Sequence, residues 1–308
     1  MIPEDRVNDF FAYARKRHEI YLKRKAGEPP PWTDDPIFQQ YRFTNVFREL
    51  DKTTLWFKKY VRGPMRKSPE VFPATVLFRW FNTIKTGETL FLQKDIMTGR
   101  VPFDDYIAIK DLRALRPWLR LQGPPYVTGS YMIRSKDGMD KLDGVLHYFH
   151  AFMMEYEPLN RAENLLKMKG KVTLEQVWKE LCECEGLGPF LAYEIVTDLR
   201  HTELLQYAPD IMTWANPGPG ARRGSQRILG KETRYQKKNG KWKVHKVSTG
   251  EAHEVMKELL NHSSNPQLWP HNWGIWEMRD VEHTLCEFDK YERVRLGHGR
   301  PRQVFKSA

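Results

Sequence analysis

The chain has little cysteine: three in 308 residues, Cys182, Cys184 and Cys286. That is too few for a disulfide framework and predicts a reducing compartment, the cytoplasm. Long apolar runs are also missing. None approaches the roughly 20 residues that cross a bilayer, and the mean hydropathy is −0.66, so a soluble protein with no membrane partner is expected. The opening Met-Ile-Pro-Glu-Asp-Arg has no apolar signal core, which argues against secretion. Metal-ligand spacing is absent as well. Cys182-Glu183-Cys184 lacks the two-residue gap and second ligand pair of a zinc site, and His147 and His150 have no third ligand nearby. No metal and no other cofactor is expected.

Positive charge is what the chain has in excess. Fifty Lys and Arg against 39 Asp and Glu give a net charge of +11 and a pI near 9.4, which favours a polyanionic partner. Aromatic residues make up 13%, with ten Trp. Most belong in a core, although an exposed ring can stack on a base.

Apolar spacing predicts a mostly helical chain. Residues 5–25 place Val7, Phe10, Phe11, Ala14, His18, Tyr21 and Leu22 on one face. A new element starts after the Gly/Pro-rich stop at 27–31, with Thr33 or Asp34 as its cap. Residues 37–61 read as helix, on which Asn45, Arg48 and Asp51 share a face. There they either read a pyrimidine edge or form an interhelical polar network. Gln39 and Gln40 are polar and elongated enough to fill the gap behind an extruded base. Residues 71–122 continue helical, with one helix from Tyr106 to Trp118. The turn-rich loop that follows offers Tyr126, Ser130, Tyr131 and Arg134 to a pocket. Helices at 142–154 and 174–184 come next.

Residues 186–189, Gly-Leu-Gly-Pro, end one helix and open another within a few residues. Leu191, Ala192, Ile195, Val196 and Leu199 give the second helix one buried face. Gly186, Leu187 and Gly188 therefore form a hairpin suited to a nucleic-acid backbone, and Asp210 follows 22 residues after Gly188. Asn216-Pro217-Gly218-Pro219-Gly220 cannot be helical and can form an anion nest beside Arg222 and Arg223. Residues 235–247 are a β-hairpin turning at Asn239-Gly240, with Lys241 and other lysines available to DNA. Helices at 251–261 and 276–293 follow. The last is acidic, and Glu287 on it can face a substrate amine or pack on basic residues.

The Gly-Leu-Gly-Pro turn with its later Asp resembles the helix-hairpin-helix DNA glycosylases, in which an Asp at this place faces the sugar of a flipped nucleotide. Pro189 and Phe190 stand where strand-cutting members carry a Lys, so the resemblance implies base chemistry without a Schiff base. Residues 26–36, 42–51 and 280–293 are similar to the helical domain of phage 5-hydroxymethyluracil-DNA kinases. Residues 214–224 resemble the α-glutamyl/putrescinyl-thymine pyrophosphorylases of thymine hypermodification. No Gly-x-x-x-x-Gly-Lys-Ser/Thr loop occurs, so kinase activity is not implied.

Together these readings predict a mostly α, two-lobed helix-hairpin-helix DNA glycosylase-like fold with one small β-hairpin. The expected organisation is an N-terminal helical lobe at 1–165, the hairpin and Asp segment at 166–230, and the β-hairpin with C-terminal helices at 231–308. The expected partner is double-stranded DNA carrying modified pyrimidines, bound by a monomer. The main functional expectation is a monofunctional glycosylase, with Asp210 catalytic and Asn45, Arg48, Asp51, Tyr126, Tyr131, Asn216 and Glu287 lining the base pocket. The alternative is a transferase that displaces an activated phosphate from 5-hydroxymethyluracil in DNA with an amine.

Overall fold

The computed structural model describes residues 2–129, 131–231, 234–236, 242–244, 247–301 and 304–305. Helix α1 (Glu4–Lys25) buries Val7, Phe10, Phe11, Ala14 and His18, opens on Glu4 and Asp5, and closes on Lys23, Arg24 and Lys25, the charge order its dipole favours. Helix α2 (Pro36–Gln40) is capped by Asp35, whose carboxylate accepts the Ile37 N–H, one residue later than expected.

Residues 37–61 are not one helix. The chain is non-helical over 41–47, makes a 3-10 turn at Arg48–Leu50, and resumes as α3 (Lys52–Phe57), which runs into a π turn at Lys58–Arg62. The Asn45 side chain donates to the Leu50 carbonyl at 2.8 Å, and its N–H donates to the Asp51 carboxylate at 3.0 Å. Such local side-chain bonds compete with a helical ladder.

Helices α4 (Val71–Phe81), α5 (Ile84–Phe91), α6 (Pro102–Ile109) and α7 (Arg116–Gln122) follow. The expected helix from Tyr106 to Trp118 is broken at Lys110, which takes φ +52°, and at Asp111, which caps a new turn through Arg113 N–H. Next come α8 (Lys141–Ala151), α9 (Pro158–Lys167), α10 (Leu174–Cys182), α11 (Pro189–Leu199), α12 (Pro219–Ile228), α13 (Thr249–His262) and α14 (Met278–Arg295). Strands β1 (Arg234–Gln236) and β2 (Trp242–Val244) pair antiparallel, Tyr235 opposite Lys243. The Asn239-Gly240 turn and Lys241 lie outside the described residues. No helix among the described residues is long and apolar enough to cross a membrane.

The chain forms two compact units. One joins the residues up to 51 with those from 212 on, and the other is Lys52–Ile211. These divisions do not coincide with boundaries at 165 and 230. In the Lys52–Ile211 unit, every residue of α4 is buried and the helix packs against α11. At its centre the fully buried Asp198 of α11 accepts from Arg62 at 2.9 Å and from Arg79 of α4. In the other unit, α14 packs on α12, α13 and α1 around Phe10, Phe11, Trp276 and Phe288, whose rings meet at 5.2–5.9 Å. A Cβ on Gly220 would run into Cys286 Sγ, and one on Gly224 into the Leu285 carbonyl. These two glycines, one helical turn apart, let α12 lie directly against α14.

Candidate functional site

The segment 43–51 and the middle of α14 build a polar cluster in the first unit. Asn45 sits at its centre. Its Oδ1 accepts from Arg17 at 2.6 Å, and Arg17 also donates to the Phe43 carbonyl. Thr44 N–H donates to Glu287 Oε2 at 3.0 Å, and Thr44 Oγ1 meets His283 Nε2 at 2.8 Å. Lys290 donates to the same Glu287 oxygen at 2.7 Å and sits 4.7 Å from the Phe43 ring centroid. Both partners of Glu287 use Oε2. Among the described residues, Oε1 has no protein donor, and the side chain is 13% exposed.

The two carboxyl groups of this cluster ionise differently. Burial pushes Asp51 up to about 6, against the smaller opposing pull of the Asn45 N–H, Arg48 and Arg17. Burial also acts to raise Glu287, but Lys290, His283 and the Thr44 N–H outweigh it and hold the group below the usual carboxylate range. Glu287 is therefore the more readily ionised of the two and Asp51 the one with the higher proton affinity, the division of roles that acid–base chemistry uses. Four expected pocket residues, Asn45, Arg48, Asp51 and Glu287, are thus gathered here, although not on a shared helix face. Arg17, Thr44, His283 and Lys290 complete the cluster without having been singled out as pocket residues.

The loop before α12 is arranged differently from expectation. Gly218 N–H donates to Glu282 Oε1 at 3.3 Å, and Arg279 holds Oε2 at 3.0 Å. A protein carboxylate thus already faces the helix start where a phosphate was expected. Asn216 is half-buried in this loop. Arg222 Nε donates to the Val247 carbonyl at 2.7 Å and Arg223 Nε to Asp289 at 2.8 Å.

In the Lys52–Ile211 unit, α10 and α11 are joined through Gly186, Leu187 and Gly188 as the sequence predicts. Gly186 has φ +80° and lies against the Tyr148 ring, which would meet a Cβ at 2.5 Å, so two independent constraints require glycine. Leu187 is buried, and Gly188 caps α11. A cavity of about 480 Å³ lies beside this turn, lined by Trp80, Tyr131, Arg134, Leu187 and Phe190 among others. Tyr131 donates to Glu194 at 2.6 Å and meets the half-exposed Phe190 edge-on at 4.9 Å. Tyr126 contributes its carbonyl to Thr86.

Asp210 is 9% exposed. Its two oxygens accept from Leu174 N–H at 2.7 Å and Glu175 N–H at 3.0 Å. It caps the start of α10, two backbone donors that the helix itself cannot satisfy. Gln39 donates to the Thr33 carbonyl, and the Gln40 carbonyl accepts from Phe305 N–H.

Comparison with known proteins sets the family. The family model described as 5-hmdU DNA kinase, helical domain, matches residues 4–300. A protein of Bacillus phage SP10 named 5-hmdU DNA kinase is 24% identical over 301 residues, covering 92% of this chain and 44% of that protein. The chain therefore spans less than half the length of this relative. No solved structure matches. A relative named as a kinase transfers a group to DNA and does not excise a base. This overturns the expectation of a glycosylase or other hydrolase, and the excision role of Asp210 falls with it. The chain belongs to the 5-hmdU DNA kinase helical-domain family.

Proposed function

We propose that this chain is a group-transfer module for 5-hydroxymethyluracil in double-stranded DNA, exchanging an activated phosphate on the hydroxymethyl group for an amine. The base is extruded from the duplex into the first unit, where Asn45, Arg48, Asp51 and Glu287 surround it. The α10–α11 turn of the Lys52–Ile211 unit is by itself suited to a DNA backbone in the manner of a helix-hairpin-helix, and the protein acts as a cytoplasmic monomer. The amine nitrogen attacks the exocyclic methylene carbon, the C–N bond forms, and the C–O bond to phosphate breaks. The phosphate leaves with the electron pair, and the ammonium proton passes to a carboxylate. Asp51, at about 6, has the affinity to accept that proton near neutral pH.

The observation that carries this reading is Glu287. One oxygen is fixed by Thr44 and Lys290, and the other has no protein donor among the described residues. A charged, oriented, half-committed carboxylate is a seat for the N–H donors of the neutral substrate amine, whose lone pair stays free to attack. The absence of a phosphate loop from these 308 residues is why the relative's kinase name is not carried over as the reaction.

The test is incorporation of a radiolabelled amine or amino acid into a duplex bearing phosphorylated 5-hydroxymethyluracil, with the free hydroxymethyl duplex alongside. Label entering only the phosphorylated duplex is the expected result. A phosphate added from ATP to the free hydroxymethyl duplex, with no amine incorporation, would replace this reading with phosphorylation.

A further inference from the structure

On α14, Glu282 pairs with Arg279, Glu287 with Lys290 and Glu292 with Arg295, and Asp280 accepts the Glu277 N–H. Asp289 gathers more than one cation. It is fully buried, and three guanidinium groups converge on it: Arg223 and Arg227 from α12, each through Nε at 2.8 Å, and Arg293 through Nε at 3.5 Å. Among the described residues, none of the three has another acidic or carbonyl partner for its side chain. The cluster thus holds three positive charges and one negative, a surplus of two.

The charges are layered. Asp289 and Arg227 lie beneath, 0% and 8% exposed, while Arg223 and Arg293 reach solvent at 27% and 31%. Anchoring a guanidinium through Nε fixes its plane and leaves the two Nη donors uncommitted, the fork that recognises phosphate oxygens in pairs. Arg293 Nε is moreover buried with no hydrogen-bond acceptor. A dianion would supply the missing charge and the missing acceptors together.

We propose that Arg223, Arg227 and Arg293, gathered on Asp289, form a binding site for a phosphate-ester or diphosphate dianion, with Asp289 as its positioning residue. The charge imbalance stands by itself; identifying the dianion with the leaving group rests on the transfer reading above. Asp289 orients the arginines, both of its oxygens being taken by Arg223 and Arg227.

The test is calorimetric titration of the full chain with inorganic pyrophosphate, and separately with inorganic phosphate, at fixed ionic strength. The Arg223→Gln/Arg293→Gln pair leaves Arg227 on Asp289, and circular dichroism checks its fold. Saturable binding by the wild type, weakened at least about tenfold in the double variant and unchanged in Arg113→Gln, is the expected result. Equal binding by wild type and double variant, or none by either, would overturn the site. Should the double variant not fold, Arg223→Lys keeps the charge but loses the fork, and affinity unchanged in that variant would equally overturn it. An unmodified duplex distinguishes the sources. Duplex binding lost in the double variant and displaced by pyrophosphate would overturn the dianion assignment in favour of singly charged backbone phosphates. Duplex binding retained while pyrophosphate binding is lost assigns it to a free or leaving phosphate. Pyrophosphate binding without any amine transfer would sink the transfer reading and leave this site standing.

Discussion

Replacing Asp51 with Asn tests the electrostatics of the candidate site without disturbing its geometry. The Asp51 oxygen that accepts the Asn45 N–H is reproduced by an amide carbonyl. Burial holds the acid at about 6 against an ordinary value of 3.8. That difference in proton affinity corresponds to roughly 3 kcal/mol, at about 1.4 kcal/mol for each tenfold change. The folded pKa lies above the unfolded one, so the folded state binds the extra proton. This contribution is complete below the unfolded pKa and is lost as pH rises through about 6. Wild type therefore loses up to roughly 3 kcal/mol between about pH 4 and pH 7 from this group alone. Asp51→Asn has no proton to lose and escapes that loss. Asp280, also raised by burial, to about 7, titrates in both proteins and cancels in the comparison. Thermal melts of both from about pH 4.5 to 7.5 span about 2 kcal/mol of that loss and should show the variant gaining about 3 °C relative to wild type by the upper end. Melting curves that remain parallel across the range would refute the assignment of a proton-exchanging Asp51.

Gly224→Ala should cost at least 1–3 kcal/mol in a denaturant melt, because its Cβ meets the Leu285 carbonyl and α12 must move off α14. Gly250→Ala has open space and should be close to neutral in the same melt. Asp210→Ala should destabilise the Lys52–Ile211 unit by about 1–3 kcal/mol by orphaning the Leu174 and Glu175 N–H groups. Hydrogen exchange at the start of α10 should rise with it, and unchanged protection there would contradict the capping role. Asp198→Asn should cost about 3–5 kcal/mol, since it leaves the buried Arg62 and Arg79 without their counter-charge. A chemical-denaturation midpoint unchanged by that substitution would show that the pair does not depend on Asp198.

The features legible in the sequence were those set by neighbours in the chain. The apolar stripes of α1, α4 and α11 give the helices their buried faces, and Gly186 announced its turn because no other residue fits φ +80° against Tyr148. Asn45, Arg48 and Asp51 were recognised as a group for the wrong local reason. They meet because the Asn45 side chain unwinds the segment and bonds across it, whereas helical spacing was the cue. Long-range partners left no signal in spacing. Thr44 and Glu287 are 243 residues apart, and Arg223 and Asp289 are 66 apart. Asp210 misled because a motif offset says nothing about which donors its oxygens will find. Gly220 and Gly224, four apart and flanking two arginines, have the small-residue spacing of a close helix contact, which the anion-nest expectation for this loop does not include.

Replacement of phosphate by an amine on the extruded base is the step on which the proposed function rests. The most direct measurement follows a duplex with a single phosphorylated 5-hydroxymethyluracil, incubated with the full chain and an amine, then digested to nucleosides for mass spectrometry while released phosphate is assayed. One amine-bearing nucleoside should form for each phosphate released, with the strand intact under alkali and the yield reduced at least about tenfold in Glu287→Gln. Phosphate released without any amine-bearing nucleoside, or full yield from Glu287→Gln, would contradict it.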